Sequence, residues 1–323
     1  MAIGKASDFV IYQEEFFGGM SETLTQETEI FNSASNNCIR LVPAALKGDY
    51  NKESFIASIS SLVTRRDTTS IAGIDDLAAT QAENIGVKVA RKIGPVAQTL
   101  DSFRKIGADA SEMSFLLGQQ WGKAVATDYV NVACGAAANA LENVAALKLD
   151  GTASTITHAN LNLALAKFGD AAGQIDCLVM HSKVYFDLIG QALTDKVYEV
   201  AGTSIIQGNV ATFGRPVIIT DSSGLIDTTG ASDVYTTLGL VQNGIVIQES
   251  ESREIVSDTV TGLENLVMRI QGEYAFNLNL KGFQWDIANG AANPNAAALN
   301  LGTNWDQKAA DVKSCAGVAM TTD

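Results

Sequence analysis

Residues 111–146 read SEMSFLLGQQWGKAVATDYVNVACGAAANALENVAA, with no proline. Leu117, Trp121, Val125, Tyr129, Val132, Ala136, Ala140 and Val144 recur at intervals of three or four. That spacing sets a single apolar stripe along one α-helix. At 1.5 Å per residue the run is roughly 50 Å long, against about 30 Å for the diameter of a small domain. The chain is therefore expected to form an elongated or plate-like body with this helix as its spine. Asp109, Ser111 and Glu112 place a capping side chain and acidic charge where the helix dipole favours them. Gly118, Gly122 and Gly135 each cost about 1 kcal/mol against alanine inside a helix, a loss that close packing of a neighbouring element would offset. The small residues from 133 to 140 make a poor coiled-coil seam.

Downstream, THANLNLALAKFGDAAG reads as a helix capped by Thr157, with Leu161, Leu165 and Phe168 inward and Gly169 ending it. IDCLVM, residues 175–180, suits a strand buried on both faces. SKVYFDLIGQAL then places Tyr185, Leu188, Ile189 and Ala192 on one helical face, with Ser182 as the expected N-cap. FGRPVIITDSSG gives a strand at 217–220 and a turn at 221–224. Asn243-Gly244 predicts a hairpin between the flanking strands. In the following β segment Leu266, Met268 and Ile270 alternate, as do Phe276, Leu278 and Leu280.

Cys177 and His181 are the one pairing that suggests reactive chemistry. Four residues along a strand is about 13 Å, too far for a nucleophile and its base, and the chain contains no GxSxG elbow. An α/β enzyme using His181 with Cys177 or Asp221 is therefore the minor alternative to a structural junction. GxGxxG and HExxH are absent, and GQQWGKA falls one residue short of a phosphate loop. Cys38, Cys134, Cys177 and Cys315 lie far apart, with no zinc-type spacing, and read as buried free thiols. No catalytic, cofactor or metal residues are assigned.

A hydrophobic content of 46% with only 18% charged residues leaves apolar surface to be covered between subunits. The net charge of −14 argues against a surface that tracks phosphates. The N-terminus lacks a secretory signal pattern, and no apolar run is long enough to span a membrane. Charge is uneven along the chain. Residues 1–36 carry net −5, residues 37–107 net +3, and residues 108–323 net −12. Within the basic segment, VKVARKIGPVAQTL reads as a strand pair or bent ribbon broken at Gly94-Pro95.

The order of these parts is an acidic start, a basic extended segment, a spine helix, an α/β unit with LVMHSKVYFDLI followed by FGRPVIITD, and a closing β segment. It resembles the major capsid proteins of tailed bacteriophages, the Hong Kong 97-type fold. The resemblance implies an α+β fold made of an N-terminal arm (1–36), an extended E-loop (37–107), a spine helix (108–149), an axial domain (150–247), a peripheral β segment (248–305) and a C-terminal tail (306–323). Trp305 itself reads as an anchor for the start of that tail. The resemblance further implies self-assembly into pentamers and hexamers of an icosahedral shell around double-stranded DNA held by confinement. Scaffold, portal and decoration proteins are the implied partners, with assembly in the host cytoplasm and residence in the virion capsid. The arm begins almost at Met1, so a separate scaffold, or none, is expected. Arg65, Arg66, Lys88, Arg91, Lys92, Arg104 and Lys105 become the interface candidates. Lys47 and Lys52 lie in the same segment, but nothing identifies a crosslinking pair. An encapsulin-like compartment is the alternative within the same fold.

Overall fold

The computed structural model describes residues 6–43, 48–56, 63, 65–73, 76, 81–99, 110–152, 154–195, 197–200, 203–206, 213–230, 232–262, 264–265 and 267–323. The expected arm is mostly a helix, α1 (Ala6–Ala34). Phe16, Met20 and Leu24, four residues apart, are almost fully buried. They form an apolar stripe against the spine helix α2 (Ala110–Glu142), and Phe16 meets Trp121 edge-on at 5.0 Å. The spine ends at Glu142, two residues before Val144, the last position of its apolar pattern. The capping residue expected at Asp109 lies outside the described residues.

The spine glycines sit where other elements touch it. A Cβ on Gly118 would lie 2.3 Å from the Phe16 carbonyl oxygen, so only glycine lets the two helices approach this closely. Gly135 faces a second contact, where a Cβ would meet the Asn300 side chain at 2.5 Å.

After α1, Asn36 and Asn37 take left-handed conformations and turn the chain into β1 (Ile39–Pro43). The Asn32 amide both donates to and accepts from the Leu41 backbone at 2.9 Å, which pins the helix end to that strand. The basic segment supplies β2 (Tyr50–Ile56) and β3 (Gln81–Thr99). After the spine come β4 (Lys148–Gly151), α3 (His158–Ala166), β5 (Ile175–Met180), α4 (Ser182–Asp195), β6 (Val197–Val200), β7 (Thr203–Ile206), β8 (Val217–Ile219), β9 (Ile226–Asp227) and β10 (Val234–Val241). The chain closes with β11 (Ile245–Val260), β12 (Val267–Leu280), β13 (Phe283–Trp285), α5 (Ile287–Gly290), α6 (Ala296–Leu299), β14 (Trp305–Gln307) and β15 (Gly317–Thr322).

Two main sheets flank the spine. One has the order β1-β11-β12-β3-β2, and the other β4-β15-β10-β5-β8 with β9 beside β10. The spine joins the first sheet through Tyr129, whose ring packs edge-on against Phe276 at 5.0 Å and Tyr274 at 5.8 Å. It reaches the second through Glu142, which accepts from Thr236 at 2.6 Å and from Lys148 at 3.3 Å.

Two expectations need correction, and a third resolves between its alternatives. At Gly94-Pro95 the structure has the bent ribbon and not the strand pair. β3 runs through as one 19-residue strand, with Gly94 and Pro95 set opposite the single residue Gln271 as a bulge. Asn243-Gly244 makes a tight turn, with Gly244 N–H bonded to the Val241 carbonyl at 3.0 Å, but it does not make a hairpin. β10 stays between β5 and β15, while β11 leaves for the other sheet, where β1 pairs with it in parallel from Ile245 onward. The local turn chemistry was right, and competition for strand partners decided the outcome. Finally, residues 306–323 are not a tail. β15 fills the slot between β4 and β10, and all six of its residues are buried. The six-stranded sheet therefore draws on both 148–241 and 317–322. The expected anchor is present, since Trp305 packs edge-on against Trp285 at 4.9 Å, both nearly inaccessible.

The α/β unit matches its reading closely. Asn160 N–H bonds the Thr157 hydroxyl at 3.0 Å, and Leu161, Leu165 and Phe168 are buried. β5 spans the expected residues. On α4 Val184 and Leu188 are buried and Tyr185 and Ile189 half-covered, while the side chain expected inward at Ala192 lies outside the described residues.

Candidate assembly interface

The basic segment leaves the body as β2 paired to β3, while the rest of β3 is bound into the five-stranded sheet by β12. Two of the seven candidate bases are engaged at its root. Lys88 Nζ contacts Glu251 at 2.5 Å, and Arg91 Nε contacts Asp128 on the spine at 3.1 Å. Asp128 also accepts from the Tyr274 hydroxyl at 2.8 Å. Burial, reinforced by the Asp128 charge, pushes that phenol well above its ordinary range, so it remains a hydrogen-bond donor. These two bases fasten the segment to its own body. Lys92 is exposed beside them, opposite Glu273 in register. Arg65 and Arg66 are exposed on the connecting loop, while Arg104 and Lys105 lie outside the described residues.

That loop also carries apolar side chains with almost no cover. Val63 is 94% exposed and Ile71 fully exposed. Between them Asp67 accepts hydrogen bonds from the backbone N–H and the hydroxyl of Thr69, at 2.9 and 2.7 Å. The Thr69 hydroxyl, then its N–H, holds the Asp67 carboxyl below its usual range.

At the Cys177/His181 junction, His181 is the N-cap of α4. Its carbonyl accepts from Tyr185 N–H at 3.1 Å, and its Nδ1 accepts from Lys183 N–H at 3.3 Å. The cap expected at Ser182 thus belongs to His181. The Ser182 hydroxyl donates to Asp221, and His181 Nε2 lies 3.6 Å from the same carboxylate. Both groups converge on Asp221, so the histidine does not stand between a nucleophile and an acid as a triad requires. Cys177 is wholly buried, with its thiol against the Leu178 carbonyl.

All four cysteines are free and buried. Burial pushes the Cys134 thiol up to about 12 and the Cys315 thiol up to about 11. The neighbouring Cys177 thiol, and then burial, drive Cys38 higher still. Among the described residues no three His, Cys, Asp or Glu side chains gather as a metal site, and no helix is long and apolar enough to cross a membrane.

The reading of the sequence missed α1 as an element of the core. Its available signal was the four-residue spacing of Phe16, Met20 and Leu24. Asp128, which ties the spine to β3 and β12, carried no signal at all.

No protein of curated function matches the chain. Solved phage structures match its fold along nearly its whole length. The chain is 13% identical to one from Microbacterium phage Oxtober96, covering 90% of this chain and 91% of that one at a TM-score of 0.54. It is 12% identical to the Cyanophage Pam1 capsid asymmetric unit, with 88% of each chain covered and a TM-score of 0.52. For Mycobacterium phage Cain the identity is 10%, the coverage 90% of each chain and the TM-score 0.53. These likenesses show the α+β capsid fold that the order of parts implied. The sequence model of the Gp13-like family, described as major capsid protein 13-like, matches residues 8–319, and this chain therefore belongs to that family of phage capsid shell proteins.

Proposed function

We propose that copies of this chain close into pentamers and hexamers of an icosahedral shell around double-stranded DNA. The five-stranded sheet and spine would act as the peripheral domain, the six-stranded sheet as the axial domain, and the loop after β2 as an arm lying on a neighbour. The observation carrying this reading is the loop itself. Val63 and Ile71 stand in solvent beside two exposed arginines, an arrangement that a monomer gains nothing from. DNA is held by confinement, in keeping with the net charge of −14. Portal, scaffold and decoration proteins join from outside the chain, and assembly takes place in the host cytoplasm. No catalytic activity is assigned, because His181 serves as a helix cap.

Negative-stain microscopy of the purified chain under reducing conditions, alone and co-expressed with the proteins of its own virion, tests the reading. Closed shells or rings of five and six are expected. Particles no larger than dimers in every combination would overturn it. Empty shells should show no appreciable duplex affinity at physiological salt in a filter assay.

A further inference from the structure

Strand β11 shifts register against β12 twice, between Glu249 and Glu251 and again between Glu251 and Glu254. Residues four apart on a regular strand are separated by about 13 Å. The two bulges instead bring Arg253 back onto Glu249, with Nε–Oε1 at 2.7 Å and Nη2–Oε2 at 3.0 Å. β1 ends at Pro43, opposite Glu249, and a cavity of about 200 Å³ opens there between α1, β1, the spine and β11. We infer that this cavity is a binding site for a small uncharged molecule with an apolar body and one hydrogen-bonding oxygen.

One wall is apolar. Leu24, Leu41 and Ile247 are nearly inaccessible in the folded chain, and Val42 is half-covered. The other end is polar. Tyr129, only 4% exposed, is part of the lining, and its hydroxyl is buried without a hydrogen-bond partner among the described residues. Tyr274 provides the contrast, since its ring lies 5.8 Å away and its hydroxyl is taken by Asp128. Burial, and then the Glu249 charge, push the Tyr129 phenol above its ordinary range, so it stays a neutral hydroxyl able to donate and to accept. Glu249 and Arg253, the charges that act on it most, belong to the same lining, which sets the hydroxyl at this end of the cavity.

Charge and size narrow the occupant. The Arg253 fork closes on the Glu249 carboxylate, so neither is left to attract an ion. The exposed Glu29 in the lining disfavours an anion, and a cation would have to lie beside the Arg253 guanidinium. A cavity of about 150 Å³ accepts benzene, so one of about 200 Å³ has room for a single ring with a short polar substituent. An occupant touches α1, β1, the spine and β11 at once and holds the arm helix to the five-stranded sheet. The site lies within one subunit, so it stands or falls independently of shell assembly.

Ligand-observed NMR titration of the full, unassembled chain tests this with benzyl alcohol, with toluene, which lacks the oxygen, and with benzoate, which carries a charge. Benzyl alcohol is expected to bind saturably and about tenfold more tightly than toluene, with no saturable binding of benzoate. Tyr129→Phe should bring benzyl alcohol down to the affinity of toluene while toluene still binds, a loss of preference that loosening of the fold does not produce. Thr25→Trp places a large side chain from an exposed position of α1 at the cavity and should abolish binding of both. Absence of saturable benzyl alcohol binding, equal affinity for toluene, or a preference that persists in Tyr129→Phe would overturn the inference. So would binding that survives Thr25→Trp, the variant that decides the matter should Tyr129→Phe fail to fold.

Discussion

Replacing a helical glycine by alanine ordinarily stabilises a protein by about 1 kcal/mol, and the α1–α2 contact predicts where that rule reverses. Gly18 in α1 is exposed, with nothing outside its own stretch of helix backbone within 4 Å of the position a Cβ would take, so Gly18→Ala should gain the full helix propensity of alanine. At Gly118 the new Cβ would stand 2.3 Å from the Phe16 carbonyl oxygen, and α1 must retreat until that distance reaches at least 3.0 Å. The obstacle is backbone, so no rotamer change relieves it. The retreat loosens Phe16, Met20 and Leu24 together. Overpacking of this kind costs about 1–3 kcal/mol. Net of the propensity gain, Gly118→Ala should range from neutral to about 2 kcal/mol destabilising, and the two variants should differ by about 1–3 kcal/mol. Urea unfolding of the unassembled chain measures the difference through midpoints at unchanged slope. Equal stabilisation by both alanines would refute the close contact between the helices.

The other predictions concern ties within the subunit. Asp128→Ala leaves the buried Tyr274 hydroxyl without its acceptor and should cost about 1–3 kcal/mol. Asp128→Asn keeps an acceptor and loses only the half-exposed Arg91 pair, for about 1 kcal/mol or less by the same unfolding assay. The Asp150 and Asp227 carboxyls are held below the ordinary 3.8, first by the hydroxyls of Thr152 and Thr229. Carboxyls depressed on folding contribute stability that is present above their unfolded value and lost as pH falls through the folded value. Melting temperature should therefore drop below about pH 4, and Asp150→Asn with Asp227→Asn should flatten that acid limb. Iodoacetamide at pH 8 should leave all four thiols unmodified in the native chain and label all four in denaturant, as mass spectrometry would show. Removal of residues 317–323 should leave β4 and β10 without their shared partner and yield insoluble or protease-sensitive chain.

Much of the interior was legible because it depends on neighbours in sequence. The period of three to four from Leu117 to Val144 specifies a helix wherever it lies, and Thr157 caps α3 through a bond only three residues long. The apolar run 175–180 had to be a buried strand for the same reason. The order of these local elements was enough to imply the capsid fold. What sequence spacing did not specify was partnership. Asn243-Gly244 makes its turn, yet β10 and β11 part, because β1 was available to pair with β11 from its first residue. Residues 306–323 looked like an end of the chain, yet 317–322 became an interior strand of a sheet, since β4 and β10 both needed a strand between them.

The interface candidates divided along the same line. The seven candidate bases were visible as charge, but only the tertiary structure separated Lys88 and Arg91, held by Glu251 and Asp128, from the exposed Arg65, Arg66 and Lys92. His181 likewise became a helix cap through a local bond, while its neighbour Asp221 arrived from 40 residues away. Periodicity, caps and turns are set by residues a few positions apart, so the sequence by itself determined the elements and their order. Strand partners, close helix crossings and the pairing of charges join residues from a few tens to two hundred positions apart, and the competition among them is decided only when the whole chain packs.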